Sequence, residues 1–329
     1  MNILIIGAAG MLGRKLTQSL VADGELGGKA ISRMKLADVV APEKPVGSSI
    51  GFDIAAVDIS DPAVAARLIA DRPDIIFHLA AIVSGEAELD FDKGYAINLD
   101  GTRYLLEAIR QASAKEPYCP RLVFTSSIAV FGAPFPDKIS DEFFTTPRTS
   151  YGTQKAIGEL LLADYSRRGF VDGVGIRMPT VCIRPGKPNK AASGFFSSIL
   201  REPLVGQEAV LPVDENVRHW HVSPRSAVRF LKQAAAMDTA VLGSRRNLNM
   251  PGLSATVGEQ IEALRRAAGE KAVKLIRREP DPLIIEMVDG WAKDFDASRA
   301  KSLGFAAESS FDEIIRVHIE DELGGSIGV

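Results

Sequence analysis

Cysteine is scarce in this sequence, and so are long apolar runs and blocks of like charge. Only two cysteines occur among the 329 residues, Cys119 and Cys182, which excludes a disulfide framework and suits a reducing compartment. No apolar run approaches the roughly 18 residues that a membrane-spanning helix needs. The 39 basic and 42 acidic residues give a net charge of −3 without a basic block, so nucleic acid and anionic membranes are disfavoured as main partners. We therefore expect a small-molecule ligand and a cytoplasmic location.

What the sequence does contain is an alternation of strand-length and helix-length segments. The first residues, MNILIIGAAG, predict a strand and a glycine turn rather than a signal peptide. The later strand runs are apolar throughout, as in a parallel sheet that helices cover on both faces. Strands are predicted at 2–6, 35–40, 53–57, 74–79, 121–126 and 173–178, and helices at 11–23, 93–114 and 151–168. This order predicts an α/β fold with a Rossmann-type doubly wound parallel sheet.

Three glycines follow the first predicted strand at the opening of the first helix. Gly7, Gly10 and Gly13 provide a tight turn, close approach of a ligand to the backbone, and packing of the helix against the strand. The unpaired amides of the helix then face the ligand, which favours a pyrophosphate. The position of the triplet after the first strand indicates a dinucleotide-binding turn.

Acidic residues at the next strand ends bear on the choice of dinucleotide. Asp38 near the end of the second long strand can accept hydrogen bonds from the ribose hydroxyls and repels a 2′-phosphate, which favours NAD over NADP. Arg33 and Lys35 argue the other way, because a cation in that pocket would attract the extra phosphate. Asp58 could address the adenine or could simply be an acid near a helix start.

After about residue 180, proline and glycine residues interrupt the hydrophobic periodicity of the sequence. We predict an NAD-binding Rossmann domain over 1–180 and a smaller α+β substrate-binding region over 181–329. Residues 224–250 combine a helical stretch with a strand-like run, and we expect this segment to return to the first domain.

Several segments in order resemble the extended short-chain dehydrogenase/reductase family, which includes the NAD-dependent epimerases and dehydratases. They are GAAGMLG at 7–13, HLAA at 78–81, INLDGT at 97–102, FTSSIAVFG at 124–132, YGTQK at 151–155 and RHWHV at 218–222. One departure is Val83, where several sugar epimerases have a lysine that reaches the cofactor phosphate; Ser84 would substitute for it in part.

The resemblance implies a set of site residues and an assembly. The catalytic residues would be Ser127, Tyr151 and Lys155. From the residue chemistry and the resemblance together, the predicted cofactor contacts are Gly7, Gly10, Met11, Leu12, Gly13, Asp38, Asp58, Ile59, Leu79, Ala80, Ala81, Asn98, Thr125, Tyr151, Lys155, Pro179 and Val181. The predicted substrate contacts are Ser84, Ser126, Ser127, Tyr151, Thr180, Arg184 and Arg218. A homodimer packed through the helices at 93–114 and 151–168 is also implied.

The residue chemistry agrees with this assignment. Tyr151 and Lys155 are four residues apart on a predicted helix, so they share a face and the ammonium can favour the phenolate. Ser127 follows the fifth long strand, at the carboxyl edge where ligands of such sheets bind. Its hydroxyl would hold the substrate oxygen, while the tyrosinate takes the proton of an alcohol whose hydride passes to the nicotinamide.

The sequence indicates the type of reaction more closely than the identity of the substrate. The segments HLAAIVSGEAE, RMPTVCIRPGKPNKAASGFF and RHWHVSP resemble family members that oxidise the C2 hydroxyl of four-carbon acid sugars. Such a substrate has a carboxylate to anchor, and a guanidinium can bind it in a bidentate way. Arg184 and Arg218 are the candidates, drawn from a set that also includes Arg177, Lys187 and Lys190. Arg218 is ambiguous, because the matching position in sugar epimerases faces nucleotide phosphates.

Three functions remain open at this point. The first is the dehydrogenase of acid sugars, the second is a nucleotide-sugar epimerase or dehydratase that retains tightly bound NAD, and the third is a redox-sensing binding protein without turnover. No metal site is predicted. His219 and His221 alternate and would share one face of a strand, but they lack an obvious third ligand, which favours a structural or substrate-contact role.

Overall fold

The computed structural model describes residues 1–186 and 192–328. Its strands are β1 Asn2–Ile6, β2 Glu25–Leu26, β3 Lys29–Ala30, β4 Arg33–Asp38, β5 Gly51–Ala56, β6 Ile75–His78, β7 Arg121–Ser127, β8 Asp172–Met178, β9 Thr180–Val181, β10 Ala209–Leu211, β11 Arg218–Val222, β12 Asn247–Asn249, β13 Leu253–Thr256 and β14 Ile276–Arg278. Its α-helices are α1 Met11–Asp23, α2 Pro62–Leu68, α3 Ser84–Leu89, α4 Phe91–Gly94, α5 Gly101–Lys115, α6 Ser150–Arg167, α7 Phe195–Leu204, α8 Pro224–Ala236, α9 Val257–Val273, α10 Pro282–Asp289, α11 Ser298–Ser302 and α12 Phe311–Glu322. None of these helices is long and apolar enough to span a bilayer.

A seven-stranded sheet forms the centre of the first compact unit, in the order β12, β8, β7, β6, β1, β4, β5. The strand order reverses at β1, and the pairings of β1 with β4 and with β6 are both parallel. This order is that of a doubly wound Rossmann sheet, so the predicted fold class is confirmed. The strands are apolar because their side chains form the core. Leu4, Ile6 and Ile76 are almost fully buried, and they belong to the same core cluster as Leu105 and Leu106 of α5.

The contacts of the chain divide it into two compact units. The first comprises Met1–Val130, Thr149–Arg177 and Val228–Leu248, and the second comprises Phe131–Arg148, Met178–Ala227 and Asn249–Val329. The predicted boundary at residue 180 differs from this division at 131–148. That segment lies in the second unit, because Ile139 pairs its backbone with Phe295 and the ring of Phe131 packs against the ring of Phe295.

The second unit has its own core and smaller sheets. One sheet has the order β13, β11, β9, and β10 pairs with β14. Its apolar core gathers α7, α9 and α12, with Phe196, Leu264 and Ile314 buried at its centre. Cys182 is buried in this core as a small apolar residue, and burial raises the pKa of its thiol to about 12.

The helix predicted at 93–114 is divided in the structure. α4 and α5 are separated by one π-helical stretch, Tyr95–Asp100. Such single π turns occur often at functional sites. Here the stretch contains Asn98, which is buried.

Candidate active site

The glycine turn after β1 is shaped by close backbone contacts. Gly7 has a φ of +93°, and a Cβ there would lie 2.6 Å from the amide nitrogen of Ala80. A Cβ on Gly13 would lie 2.2 Å from the carbonyl oxygen of Gly7. Gly10 is exposed, and a Cβ there would lie 3.4 Å from that same oxygen, an ordinary van der Waals distance. Gly7 and Gly13 thus allow the turn to close, whereas Gly10 leaves its outer side open.

The amino end of α1 follows this turn and offers unpaired amides. Gly10 occupies the N-cap position, and no side chain caps the helix there. Met11 and Leu12 form the first helical positions and are partly exposed. An uncapped amino end beside a glycine turn fits the pyrophosphate of a dinucleotide, because it presents N–H groups and a positive dipole end.

Asp38 lies at the end of β4, beside the same turn. Its Oδ2 accepts a hydrogen bond from the amide of Ala9 at 2.9 Å. The cations that argued for NADP are engaged elsewhere: Lys35 bonds Asp71 at 2.6 Å, and Arg33 lies 3.7 Å from Asp53. The donors and acceptors at this strand end therefore fit the unphosphorylated ribose of NAD.

Asp58 and Ile59 follow β5. Asp58 is exposed, and its Oδ1 accepts hydrogen bonds from the amide and hydroxyl of Ser60. The cap of α2 is Asp61 instead, through the amide of Ala63. The Ile59 side chain is buried in the core of the first unit.

The segment after β6 is held by Asn98. The amides of Leu79 and Ala80 donate to the carbonyl of Ile6, which fixes them at the end of β1. Asn98 accepts from the amide of Ile82 at 2.9 Å and donates to Oε1 of Gln154 at 2.7 Å. Asn98 thereby ties the loop that carries Ala81 to α6.

The three predicted catalytic residues come from β7 and the start of α6. Thr149 caps α6 through the amide of Gly152. Lys155 is buried, and its Nζ donates to the carbonyl oxygen of Thr125 at 2.8 Å and lies 5.7 Å from the ring centroid of Tyr151. Ser127 ends β7 two residues beyond Thr125, and its Oγ accepts from the amide of Ala129 at 3.1 Å.

A buried ion pair between Glu159 and Arg177 lies close to Lys155, and it was not predicted from the sequence. Glu159, one turn after Lys155 on α6, accepts from Nε of Arg177 at 2.9 Å and from its Nη2 at 2.7 Å. Ser126 donates its hydroxyl to Glu159 at 2.5 Å. Ser126 was predicted to contact the substrate, but its side chain points into the core, because successive residues of a strand face opposite sides.

The predicted substrate residues other than Ser126, Ser127 and Tyr151 belong partly to the first unit and partly to the second. Ser84 begins the short helix α3 in the first unit. In the second unit, Pro179 is buried and Thr180 is partly exposed.

The two candidate arginines for a substrate carboxylate already bond the protein. Arg184 donates to the carbonyl of Val181 and to Ser193, and Arg218 donates to the carbonyl of Ser254. Of the other basic candidates, Arg177 is paired with Glu159, and Lys187 and Lys190 lie outside the described residues.

Comparison with known protein families shows which family has this arrangement of residues. The model of the NAD dependent epimerase/dehydratase family matches residues 3–242 of the chain. The chain belongs to that family. The resemblance inferred from the sequence is thus confirmed, and so is NAD as the cofactor. The chain is an NAD-dependent oxidoreductase, and no group of three potential metal ligands occurs among the residues that the structure describes.

Relatives within the family carry two different functional names. A D-erythronate dehydrogenase of Cupriavidus necator is 47% identical over 98% of both chains, and one of Haemophilus influenzae is 42% identical over 98% of this chain and all of the relative. A crystal structure described as the nucleoside-diphosphate-sugar epimerase from Agrobacterium tumefaciens has 71% identity and a TM-score of 0.97, covering 99% of this chain and 95% of that one.

The ionisation of Lys155 is set mainly by its burial. Removal from water lowers the pKa of its ammonium to about 8, while the carboxylate of Glu159 acts in the opposite direction. The group thus lies near the pH at which a small change in surroundings alters its charge. Tyr151 lies one turn away on α6, with its ring centroid 5.7 Å from Nζ of Lys155.

We expect this ionisation to make folding stability rise with pH. Between a folded pKa of about 8 and an unfolded value of 10.5 the unfolded chain binds more protons, so alkaline pH favours the folded state. The free energy of unfolding of the wild type, relative to that of Lys155→Met, should increase by about 2 kcal/mol from about pH 7.5 to about pH 9.5. Urea denaturation at both pH values measures this difference. A constant difference would contradict the lowered pKa of Lys155.

Proposed function

We propose that this chain is a dehydrogenase that oxidises the C2 hydroxyl of a four-carbon acid sugar, converting D-erythronate into 2-dehydro-D-erythronate. The observation that carries the proposal is the likeness to two proteins named D-erythronate dehydrogenase, at 47% and 42% identity over nearly the full length of each. The arrangement of Tyr151 and Lys155 on α6 supports it, because alcohol oxidation needs a base at this point.

The residues of this chain would divide the work as follows. Ser127 holds the substrate hydroxyl, and the phenolate of Tyr151 takes its proton. The ammonium of Lys155 keeps the phenolate form accessible at neutral pH. NAD, held at the glycine turn and at Asp38, supplies the acceptor for the hydride that leaves the same carbon. Tyr151 would then release the accepted proton to solvent before the next turnover.

We propose that the two units have different roles. We assign NAD binding to the first unit, which contains the glycine turn, Asp38 and the Tyr151–Lys155 pair. We assign substrate selection to the second unit, through Thr180 and an arginine, Arg184 or Arg218. We further propose a cytoplasmic homodimer that packs through α5 and α6, since Leu160 on α6 exposes 68% of its surface.

A second candidate is a nucleotide-sugar epimerase, which the 71% identical structure described as an epimerase favours. An epimerase retains its cofactor and returns the hydride to the opposite face, so no NADH accumulates. The same Tyr151 and Lys155 would serve either reaction.

The experiment that separates the two is a panel of sugar acids and nucleotide sugars. Each is incubated with purified enzyme and NAD, and NADH is followed by its absorbance. The dehydrogenase predicts steady NADH production with D-erythronate and none with nucleotide sugars. Conversion of a nucleotide sugar without net NADH, together with no NADH from D-erythronate, would overturn the proposal in favour of the epimerase.

A further inference from the structure

A buried histidine bonds a threonine in the small sheet of the second unit. Thr180 on β9 and His219 on β11 belong to neighbouring parallel strands. The Oγ1 of Thr180 lies 2.7 Å from Nε2 of His219, and Nδ1 of His219 lies 3.1 Å from the carbonyl oxygen of Ala292. Both ring nitrogens of His219 therefore have a partner, and the imidazole is fixed at two points.

The surroundings of His219 keep its ring neutral. It is 4% exposed and stacks on Phe196 with an interplanar angle of 2°, while Trp291 and His221 pack against it at 5.2 and 5.3 Å between ring centroids. Burial lowers the pKa of His219 to about 4, and the positive charge of Arg184 acts in the same direction. The ring therefore carries a single N–H proton at any pH near neutrality.

The position of that proton follows from the hydrogen bonds. A carbonyl oxygen only accepts, so the bond to Ala292 requires the proton on Nδ1 of His219. Nε2 then has a lone pair, and the hydroxyl of Thr180 must donate to it. With its proton directed at His219, the oxygen of Thr180 presents only lone pairs on its remaining side. Thr180 can therefore accept a hydrogen bond from a ligand but cannot donate one.

Thr180 follows the carboxyl end of β8 by two residues. Residues at the carboxyl ends of the strands are where doubly wound sheets bind their ligands, and Thr180 was predicted from the sequence to contact the substrate. Thr180 is also partly exposed, unlike its neighbours Pro179 and Val181, which are buried.

We propose that His219 is a positioning residue that makes Thr180 an obligate acceptor, so that this position selects a substrate hydroxyl and rejects a carboxylate or keto oxygen. The inference rests on the proposed function in one respect: it assigns Thr180 to a hydroxyl of the acid sugar other than the one oxidised. The carboxylate must then be bound elsewhere, since two acceptors repel each other.

Activity measurements on four variants test the linkage. Thr180→Val removes the hydroxyl, Thr180→Ser restores it, His219→Phe removes the acceptor nitrogen, and the double variant Thr180→Val with His219→Phe removes both. His221→Phe is the matched control, since His221 lies in the same aromatic cluster but bonds Gln260. The readout is kcat/KM for D-erythronate and for its 3-deoxy and 4-deoxy analogues.

We expect the wild type to prefer D-erythronate over one of the two deoxy analogues by at least about tenfold, which is the value of one good hydrogen bond. Thr180→Val and His219→Phe should each remove most of that preference, and the double variant should lose no more than Thr180→Val alone. Thr180→Ser and His221→Phe should keep it. Additive losses in the double variant, or equal loss in His221→Phe, would overturn the inference.

A spectroscopic measurement keeps the inference separate from the proposed function. The chain has four histidines, so ¹⁵N spectra of the imidazoles can be assigned by single substitutions. We expect the Nδ1–H tautomer of His219 from about pH 6 to about pH 9, with an Nε2 resonance that shifts in Thr180→Val. An Nε2–H tautomer, or no shift, would refute the inference. Failure of the wild type to oxidise D-erythronate would refute only the proposed function.

Discussion

Tyr151→Phe is expected to lower kcat for D-erythronate by about 10²–10⁴-fold, because the phenyl ring cannot accept the alcohol proton. Loss of one oxygen leaves the position of the ring and the start of α6 intact. Binding of NAD should therefore change little, since the glycine turn and Asp38 keep their geometry. Steady-state NADH production and the quenching of protein fluorescence by NAD measure the two properties on the same preparation.

Tyr165→Phe is the matched control for this experiment. Tyr165 lies on the same helix but hydrogen-bonds Glu107 at 3.4 Å, at the other end of α6 from the site. It should retain the kcat of the wild type. If Tyr151→Phe kept more than about a tenth of the wild-type kcat, a different base would have to be found, and the dehydrogenase mechanism through α6 would be wrong.

The sequence predicts the parts of this molecule that depend on local pattern. The apolar run of β1 and the glycines after it determine a βαβ start, because few other structures bury such a strand and need such a turn. Tyr151 and Lys155 are four residues apart, so one helix suffices to bring them together. The division of the helix at 95–100 was missed, because a π-helical turn has no pattern of its own in the sequence.

The errors come from contacts between distant residues. Arg177 was included among possible carboxylate anchors, yet Glu159, 18 residues earlier and on α6, accepts its hydrogen bonds. The period of two along β7 could have separated Ser126 from Ser127, since adjacent residues of a strand face opposite ways. The bond between Thr180 and His219 joins residues 39 positions apart, and only the pairing of β9 with β11 brings them together.

Arg177→Met is expected to lower the free energy of unfolding by about 3–5 kcal/mol, because it leaves the carboxylate of Glu159 buried without its cation. The side chains of Arg177 and Glu159 are only 8% and 3% exposed, so water cannot replace the lost bonds. Ser126 still donates one hydrogen bond to Glu159, but a hydroxyl does not neutralise the charge. Urea denaturation monitored by circular dichroism gives the change through its midpoint and slope.

The matched control is Arg167→Met, which breaks an exposed pair with Asp164 on the same helix. Exposed pairs contribute only about 0–1 kcal/mol, so this variant should be close to the wild type. Adding Glu159→Leu to Arg177→Met should recover most of the lost stability, because no unpaired charge remains in the core. If the double variant were as unstable as Arg177→Met, the loss would come from packing around Arg177, and the buried charge of Glu159 would not be its cause.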